Sequence, residues 1–150
     1  MKKLIGFITL IVLAVFLTAC GEDETTRTFE AEQNGIETTL EYTAKGDKVT
    51  KQTTENVIQY DLAGIESKEQ AQELFDPMIE QFQNIEGITH KLEYEDSKAI
   101  ESLVIDYEAV DFDEIMGLPG MNFSEDPKNN GISMEKSAEM LESQGFKEVK

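Results

Sequence analysis

The feature that most constrains the fold is a pair of alternating apolar and polar stretches joined by a two-residue turn. Phe29 and Ala31 alternate with polar residues ahead of Asn34-Gly35. The stretch that follows places four alternating side chains on one face: Ile36, Thr38, Leu40 and Tyr42. A period of two is typical of a half-buried strand, and Asn-Gly favours a hairpin because both residues accept a positive φ. The sequence therefore predicts an antiparallel hairpin.

Three more strands are predicted further along the chain. The third runs from about Lys48 to Tyr60. Its apolar phase shifts from Val49 and Val57 to Ile58 and Tyr60, which indicates a β-bulge or an overhang beyond the core. The fourth alternates from Ile88 to Tyr94. The fifth has an apolar face of four residues: Leu103, Ile105, Tyr107 and Ala109.

Two amphipathic helices are predicted beside these strands. Ser67 and Gln70 form a capping box at the start of the first helix. Its apolar residues recur at spacings of three and four: Ala71, Leu74, Phe75, Met78, Ile79, Phe82 and Ile85. Pro77 predicts a kink or a restart within this stripe. The second helix begins after Ser133 and ends at Gly145.

These elements predict an α+β fold. An antiparallel sheet of about five strands carries two helices on one face, in the order βββ-α-ββ-α. The first helix is expected to bury four side chains: Leu74, Phe75, Met78 and Phe82. Their expected partners lie on the second and fifth strands: Leu40, Tyr42, Leu103 and Ile105.

The start of the chain has the composition of a secretory leader. Lys2 and Lys3 precede fourteen mostly apolar residues, 4–17, and Leu17-Thr18-Ala19-Cys20 follows. As a helix the apolar stretch is about 21 Å long. A helix that spans a bilayer needs roughly 20 residues, or about 30 Å, so this stretch is too short. This ending resembles the lipobox of bacterial lipoproteins, which implies cleavage between Ala19 and Cys20 and a lipid on the Cys20 sulfur.

The predicted domain organisation follows from this motif. Residues 1–19 form the signal peptide, residues 20–27 the lipidated cysteine and an acidic tether, and residues 28–150 a single domain. The two acyl chains of a diacylglyceryl group meet the requirement for stable anchoring, since a single chain holds only marginally. We therefore expect a membrane-anchored protein on the extracytoplasmic face.

The charge of the chain limits its partners. Without residues 1–19 the chain has 11 basic and 31 acidic residues, a formal charge of −20. Such a surface repels nucleic acid and anionic headgroups. The expected partners are the membrane, through the lipid anchor, and an unknown protein or a cationic ligand. Cys20 is the only cysteine, so its lipidation leaves neither a disulfide nor a Cys-based metal site.

Several short motifs along the chain occur in the order of a known family. They are Gln33-Asn34-Gly35, Lys45-Gly46-Asp47-Lys48-Val49, Lys51-Gln52-Thr53-Thr54, Gly87-Ile88-Thr89-His90, Gly117-Leu118-Pro119-Gly120-Met121 and Gln144-Gly145-Phe146. From about Phe29 to Lys147 the chain resembles the YehR-like family, small bacterial lipoproteins of unknown function. The resemblance implies the α+β fold and assigns no catalytic or ligand-binding residue.

The residues that could carry chemistry are few. His90 is the only histidine, so a Ser-His-Asp triad would have to use it, but a packed or edge histidine in a strand fits its setting better. Two carboxylate clusters favour a solvated acidic face over a Ca²⁺ or Mg²⁺ site, since no EF-hand spacing is present. Their members are Glu93, Glu95 and Asp96, then Asp106, Glu108, Asp111, Asp113 and Glu114. The sequence predicts no metal site, cofactor or catalytic residue.

One loop is unusually apolar for so acidic a chain. Its residues form the candidate interaction site: Met116, Leu118, Pro119, Met121 and Phe123. Loops carry function and Met-rich surfaces adapt to partners. The alternative interpretation is a lid that closes the open end of the core.

The leading functional hypothesis is a non-enzymatic binding or interaction module. One alternative is a hydrolase-type enzyme that uses a pair of carboxylates about 5–10 Å apart in a pocket. Another is a small-ligand carrier, which needs an apolar cavity of at least about 300 Å³. A domain with one sheet layer is expected to have little room for such a cavity.

Overall fold

The computed structural model describes residues 23–123 and 125–149. In these residues six strands form one antiparallel sheet in the order β4-β5-β3-β2-β1-β6. The strands are β1 (Glu24–Gln33), β2 (Ile36–Lys45), β3 (Lys48–Gln59), β4 (Ile88–Tyr94), β5 (Lys98–Asp106) and β6 (Lys147–Val149). The helices are α1 (Tyr60–Ala63), α2 (Lys68–Ile79), α3 (Phe112–Ile115), α4 (Pro127–Asn130) and α5 (Met134–Ser143), with a 3₁₀ turn at Glu80–Phe82.

The predicted fold class is confirmed, with one strand more than the sequence indicated. β6 pairs with β1, placing Val149 opposite Thr28. Its three residues are too few for an alternating pattern to be read. β1 begins at Glu24, before the expected start of the domain at residue 28, and its first residues pair with the end of β2. The threonines in this segment suit a strand because their β-branched side chains pack well on a pleated surface.

A bulge, one of the two alternatives predicted for β3, lies where this strand leaves the turn with β2 and not at the phase change between Val57 and Ile58. Val49 pairs with Ala44, whereas Lys51 pairs with Thr43, so the register shifts at Thr50. Val49 is buried and Lys51 is exposed. Beyond the shift the even-numbered residues of β3 face the helices, and Ile58 is buried at the far end.

Two apolar clusters lie on the helix-covered face of the sheet. The α5-side core contains thirteen buried residues: Phe29, Leu40, Tyr42, Ala44, Val49, Ile105, Tyr107, Val110, Ile115, Ile132, Met134, Ala138 and Leu141. The smaller α2-side core contains Ile58, Tyr60, Ile65, Ala71 and Ala99. The two predicted helices therefore cover different ends of one face.

The end of α5 that meets the sheet is fixed by hydrogen bonds. The Ser133 hydroxyl accepts from the Lys136 N–H at 3.2 Å, as the predicted cap requires. The Asp47 carboxylate, in the turn between β2 and β3, accepts from the Glu135 N–H at 3.0 Å. These bonds satisfy N–H groups that a helix start leaves without internal partners.

The predicted packing of α2 is correct at some positions and wrong at others. Phe82 is buried and Phe75 is half-buried against the α2-side core. Leu74 and Met78 are instead 51 % and 44 % exposed. Leu40, Tyr42 and Ile105, their expected partners, belong to the α5-side core, and Leu103 packs against it. The predicted stripe fails because α2 ends at Ile79, two residues beyond Pro77, and does not continue as one helix of five turns.

The described part of the chain contains no helix with the length and apolar character needed to cross a membrane. The predicted leader, including Ala19 and Cys20, lies outside the described residues.

Candidate functional site

A row of polar side chains crosses the covered face of the sheet beneath α2. Thr38 on β2 pairs with Asn56 on β3, which pairs with Glu101 on β5. On β4, His90 pairs with Leu103, one step along the face from Glu101. Asn56 lies two residues before the buried Ile58 on β3, and side chains two residues apart on a strand point to the same face of the sheet. The polar side chains of this row therefore point toward the helices.

The row is joined by short hydrogen bonds. The Thr38 hydroxyl donates to Oδ1 of Asn56 at 2.6 Å, and Nδ2 of Asn56 donates to Oε2 of Glu101 at 2.6 Å. The second carboxylate oxygen of Glu101 lies 2.7 Å from Nε2 of His90. An ionised carboxylate only accepts hydrogen bonds, so Nε2 supplies the hydrogen in this pair.

The His90 ring is enclosed. Its side chain is 3 % exposed, and the Phe82 ring stands edge-on against it with 4.9 Å between ring centroids. Nδ1 is buried and has no hydrogen-bond partner among the described residues. Most buried polar atoms in folded proteins are hydrogen-bonded, so an unpartnered ring nitrogen marks this position as unusual.

A cavity of about 300 Å³ lies between α2 and this row. Its helix side is apolar: Phe75, Met78, Ile79 and Phe82. Its sheet side combines Ile36, Ile58 and Leu92 with the polar row of Thr38, Asn56, His90 and Glu101. The volume is at the lower end of the range for small-molecule sites, and an apolar lining with a few convergent polar groups is their usual composition.

This cavity corrects the expectation that a single sheet layer leaves little room. Thr38 and Asn56 are short side chains at positions where a filled core would need larger apolar ones. Met78 lines the cavity but is 44 % exposed, so it does not fill the space beneath α2.

His90 is a packed histidine, one of the two settings expected for it, whereas Glu101 and Asn56 are not among the residues singled out from the sequence. A signal was present, since Glu101 lies in phase with Ala99, Leu103 and Ile105 along β5. A carboxylate at a position of the apolar face is costly to bury unless it is paired. That rule could have directed attention to Glu101.

The predicted carboxylate clusters lie elsewhere, on exposed positions. Glu108 pairs with Lys45 at 3.2 Å, and Asp113 pairs with Lys128 at 2.5 Å. Asp111 accepts from the Asp113 N–H at 2.9 Å, which starts α3. Within residues 23–123 and 125–149, no group of three or more His, Cys, Asp or Glu side chains is arranged to hold a metal ion.

Comparison with known proteins places the chain in a family. Residues 25–147 match the family described as "Protein of unknown function (DUF1307)". The chain belongs to this family. An uncharacterized lipoprotein of Listeria monocytogenes is 46 % identical over 99 % of this chain and 97 % of its own length. The uncharacterized lipoprotein YehR of Escherichia coli is 38 % identical over the same shares of the two chains. These matches confirm the resemblance seen in the sequence.

Solved structures agree with the fold. The NMR structure of Escherichia coli YehR superposes with a TM-score of 0.74 at 38 % identity, covering 87 % of this chain and 94 % of that one. An NMR structure of a Streptococcus pneumoniae protein has a TM-score of 0.59 at 15 % identity, covering 99 % of each chain. The second likeness is one of fold alone.

In this member of the family, the candidate interaction loop mostly packs inward. Leu118, Met121 and Phe123 are half-buried against the α5-side core, and the Phe123 ring stands edge-on to Phe112 with 6.0 Å between centroids. Met116 is 44 % exposed. Pro119 is also exposed. The loop therefore closes one end of the core and presents Met116 to solvent.

Proposed function

We propose that this protein is a lipid-anchored binding module on the extracytoplasmic face of a membrane, and that it holds a small, mainly apolar molecule in the cavity beneath α2. The observation that carries the proposal is the cavity itself, about 300 Å³ and apolar on its helix side, with the hydrogen-bonded row of Thr38, Asn56, Glu101 and His90 on the other. Apolar walls supply affinity, and a few fixed polar groups supply orientation.

The groups around the cavity favour binding over hydrolysis. Among the described residues, Glu101 is the one carboxylate in the lining. The carboxylate-pair mechanism needs a second, about 5–10 Å away. Nδ1 of His90 has no hydroxyl partner in the described part of the chain, whereas the base of a nucleophilic triad is hydrogen-bonded to its nucleophile.

The anchor in the proposal rests on the lipobox-like sequence before Cys20 and on the relatives, which are named lipoproteins. The Cys20→Ser chain should lose lipidation and appear as uncleaved precursor or as soluble protein. Detergent-phase partitioning of cell extracts measures this, with the wild-type chain in the same cells as control. Full partitioning of the Cys20→Ser chain into the detergent phase after signal removal would contradict the anchor.

The cavity is tested with p-xylene, an apolar probe without hydrogen-bonding groups. The chain from residue 20 onward with Cys20→Ser contains every residue the structure describes and avoids partitioning of the probe into lipid. We expect p-xylene to shift the NMR signals of Met78, Phe82 and Leu92 in a saturable way. An absence of saturable shifts at these residues would end the proposal.

A matched pair of variants on α2 locates the binding. Ile79 lines the cavity, whereas Leu74 is half-exposed on the same helix and is not part of the lining. Ile79→Trp should fill the cavity and abolish saturable binding, while Leu74→Trp adds the same bulk outside it and should leave binding unchanged. Equal binding by the two folded variants would place the probe somewhere else.

A further inference from the structure

We infer that the ligand of this cavity carries a hydrogen-bond donor, an N–H or O–H group, and that Nδ1 of His90 receives it; this inference rests on the proposed function. The unpartnered Nδ1 is the observation behind it, because this atom belongs to a side chain that lines the cavity and is 3 % exposed. The chemical class is therefore a small molecule with an apolar body and one donor group.

The direction of the hydrogen bond follows from the partners of Glu101. Its carboxylate accepts from Asn56 at one oxygen and lies 2.7 Å from Nε2 of His90 at the other. Because the carboxylate has no hydrogen to give, the ring tautomer that bonds to it carries its hydrogen on Nε2. Nδ1 then presents a lone pair, which makes His90 an acceptor toward anything in the cavity.

Charge points to the same class of ligand. Among the described lining residues of the cavity, Glu101 is the carboxylate, and neither lysine nor arginine is present. The whole chain has a formal net charge of −18. An anionic ligand would meet this carboxylate in a site of low dielectric, where like charges repel strongly. A donor group presents its positive end to the lone pair of Nδ1 and avoids that repulsion.

Access to Nδ1 requires one side chain to move. This atom is buried, and the Phe82 ring stands against the imidazole. Phe82 ends the 3₁₀ turn at Glu80–Phe82, which follows the Pro77-containing helix α2. Short 3₁₀ turns have poorer hydrogen-bond geometry than α-helices, so a shift of this turn is the expected route to the nitrogen.

The test compares p-cresol with p-xylene, which has nearly the same shape but a methyl group in place of the hydroxyl. His90 is the only histidine, so its ring nitrogens give one unambiguous pair of ¹⁵N signals. In the chain from residue 20 with Cys20→Ser, p-cresol should move the Nδ1 signal strongly and p-xylene should not. An Nδ1 signal that p-cresol leaves unchanged, in a chain that binds p-xylene, would overturn the inference and leave the proposed function standing.

Affinity supplies a second measurement. His90→Phe should lower the preference for p-cresol over p-xylene by about three- to tenfold, the effect of one neutral hydrogen bond. Thr89→Phe, an exposed position on the same strand, is the matched control and should keep the wild-type preference. Tighter binding of p-toluate than of p-cresol would overturn the inference, since His90 would then act as a cation. Binding of none of the three probes would instead remove the proposed function itself.

Discussion

The two ends of the covered sheet face differ in how completely they are filled. On the α5 side, Phe29, Ile105 and Ile115 have no exposed surface, and α5 buries four of its ten residues. On the α2 side, Ala71 is the one fully buried residue of α2, and a cavity separates the helix from the polar row. One helix therefore closes a filled core, whereas the other covers a cavity at the opposite end of the same sheet face.

Truncating one phenylalanine at each end tests this comparison most strongly. Phe29→Ala should lower the free energy of unfolding by about 3–5 kcal/mol, because the ring is enclosed on all sides. Phe82→Ala should cost about 2 kcal/mol, less than is usual for such a change, because one side of that ring already faces the cavity. Urea denaturation measures both. Equal losses would show that the α2 side is packed as tightly as the α5 side.

The second prediction concerns alkaline pH and the α5-side core. Burial raises the pKa of Tyr42 to about 12, beside Ser137, and also raises the pKa of Tyr107. A tyrosine in the unfolded chain has a pKa near 10. The neutral hydroxyl is therefore favoured by folding, and its stabilisation is complete below about pH 10 and lost as the pH rises toward about 12.

For Tyr42 alone this loss should be about 2–3 kcal/mol. Denaturation at a series of pH values measures it, with tyrosinate absorbance reporting ionisation. Tyr42→Phe is the control, because it keeps the ring and removes the titrating hydroxyl. If the variant loses stability with pH as steeply as the wild-type chain, Tyr42 is not the group responsible.

The candidate interaction loop gives the third prediction. Leu118→Asp should lower the free energy of unfolding by about 1–3 kcal/mol, because a charged group replaces a half-buried side chain that packs on the α5-side core. Met116→Asp, at a position that is 44 % exposed, should change stability by less than about 0.5 kcal/mol. Thermal unfolding checks both changes. If Leu118→Asp leaves the melting temperature unchanged while weakening crosslinking in cells, the loop is a partner-binding surface.

The smallest effect is expected on the outer face of α2. Leu74→Ser should change the free energy of unfolding by less than about 0.5 kcal/mol, since this side chain is about half exposed and does not line the cavity. Chemical denaturation gives the value. A loss above about 2 kcal/mol at Leu74 would restore the sequence-based expectation that this side chain is part of the core.

Much of the fold could be predicted because its signals are local. The hairpin at Asn34-Gly35 and the caps at Ser67 and Ser133 each depend on a few neighbouring residues. The cavity could not be predicted in the same way. It depends on residues far apart in the chain, such as Thr38 and Glu101, and on how far α2 stands from the sheet.

The apolar stripe of α2 predicts the burial of its side chains poorly. A spacing of three and four shows that residues share one face of a helix, but it does not show how much of that face is covered. Leu74, Phe75 and Met78 all belong to the stripe, yet only Phe75 turns far enough inward to be half-buried. The position of a helix over a sheet depends on tertiary packing, which the spacing of apolar residues within the helix does not determine.

The early start of β1 determines which end of the domain a lipid on Cys20 would hold close to the bilayer. Three residues separate Cys20 from Glu24, so the chain between these two residues reaches at most about 14 Å. Glu24 pairs with Lys45 at one end of the sheet, whereas Thr38 at the cavity lies about 23 Å further along β2. A lipid on Cys20 would therefore hold the Glu24 end of the sheet closer to the anchor than the end that carries the cavity.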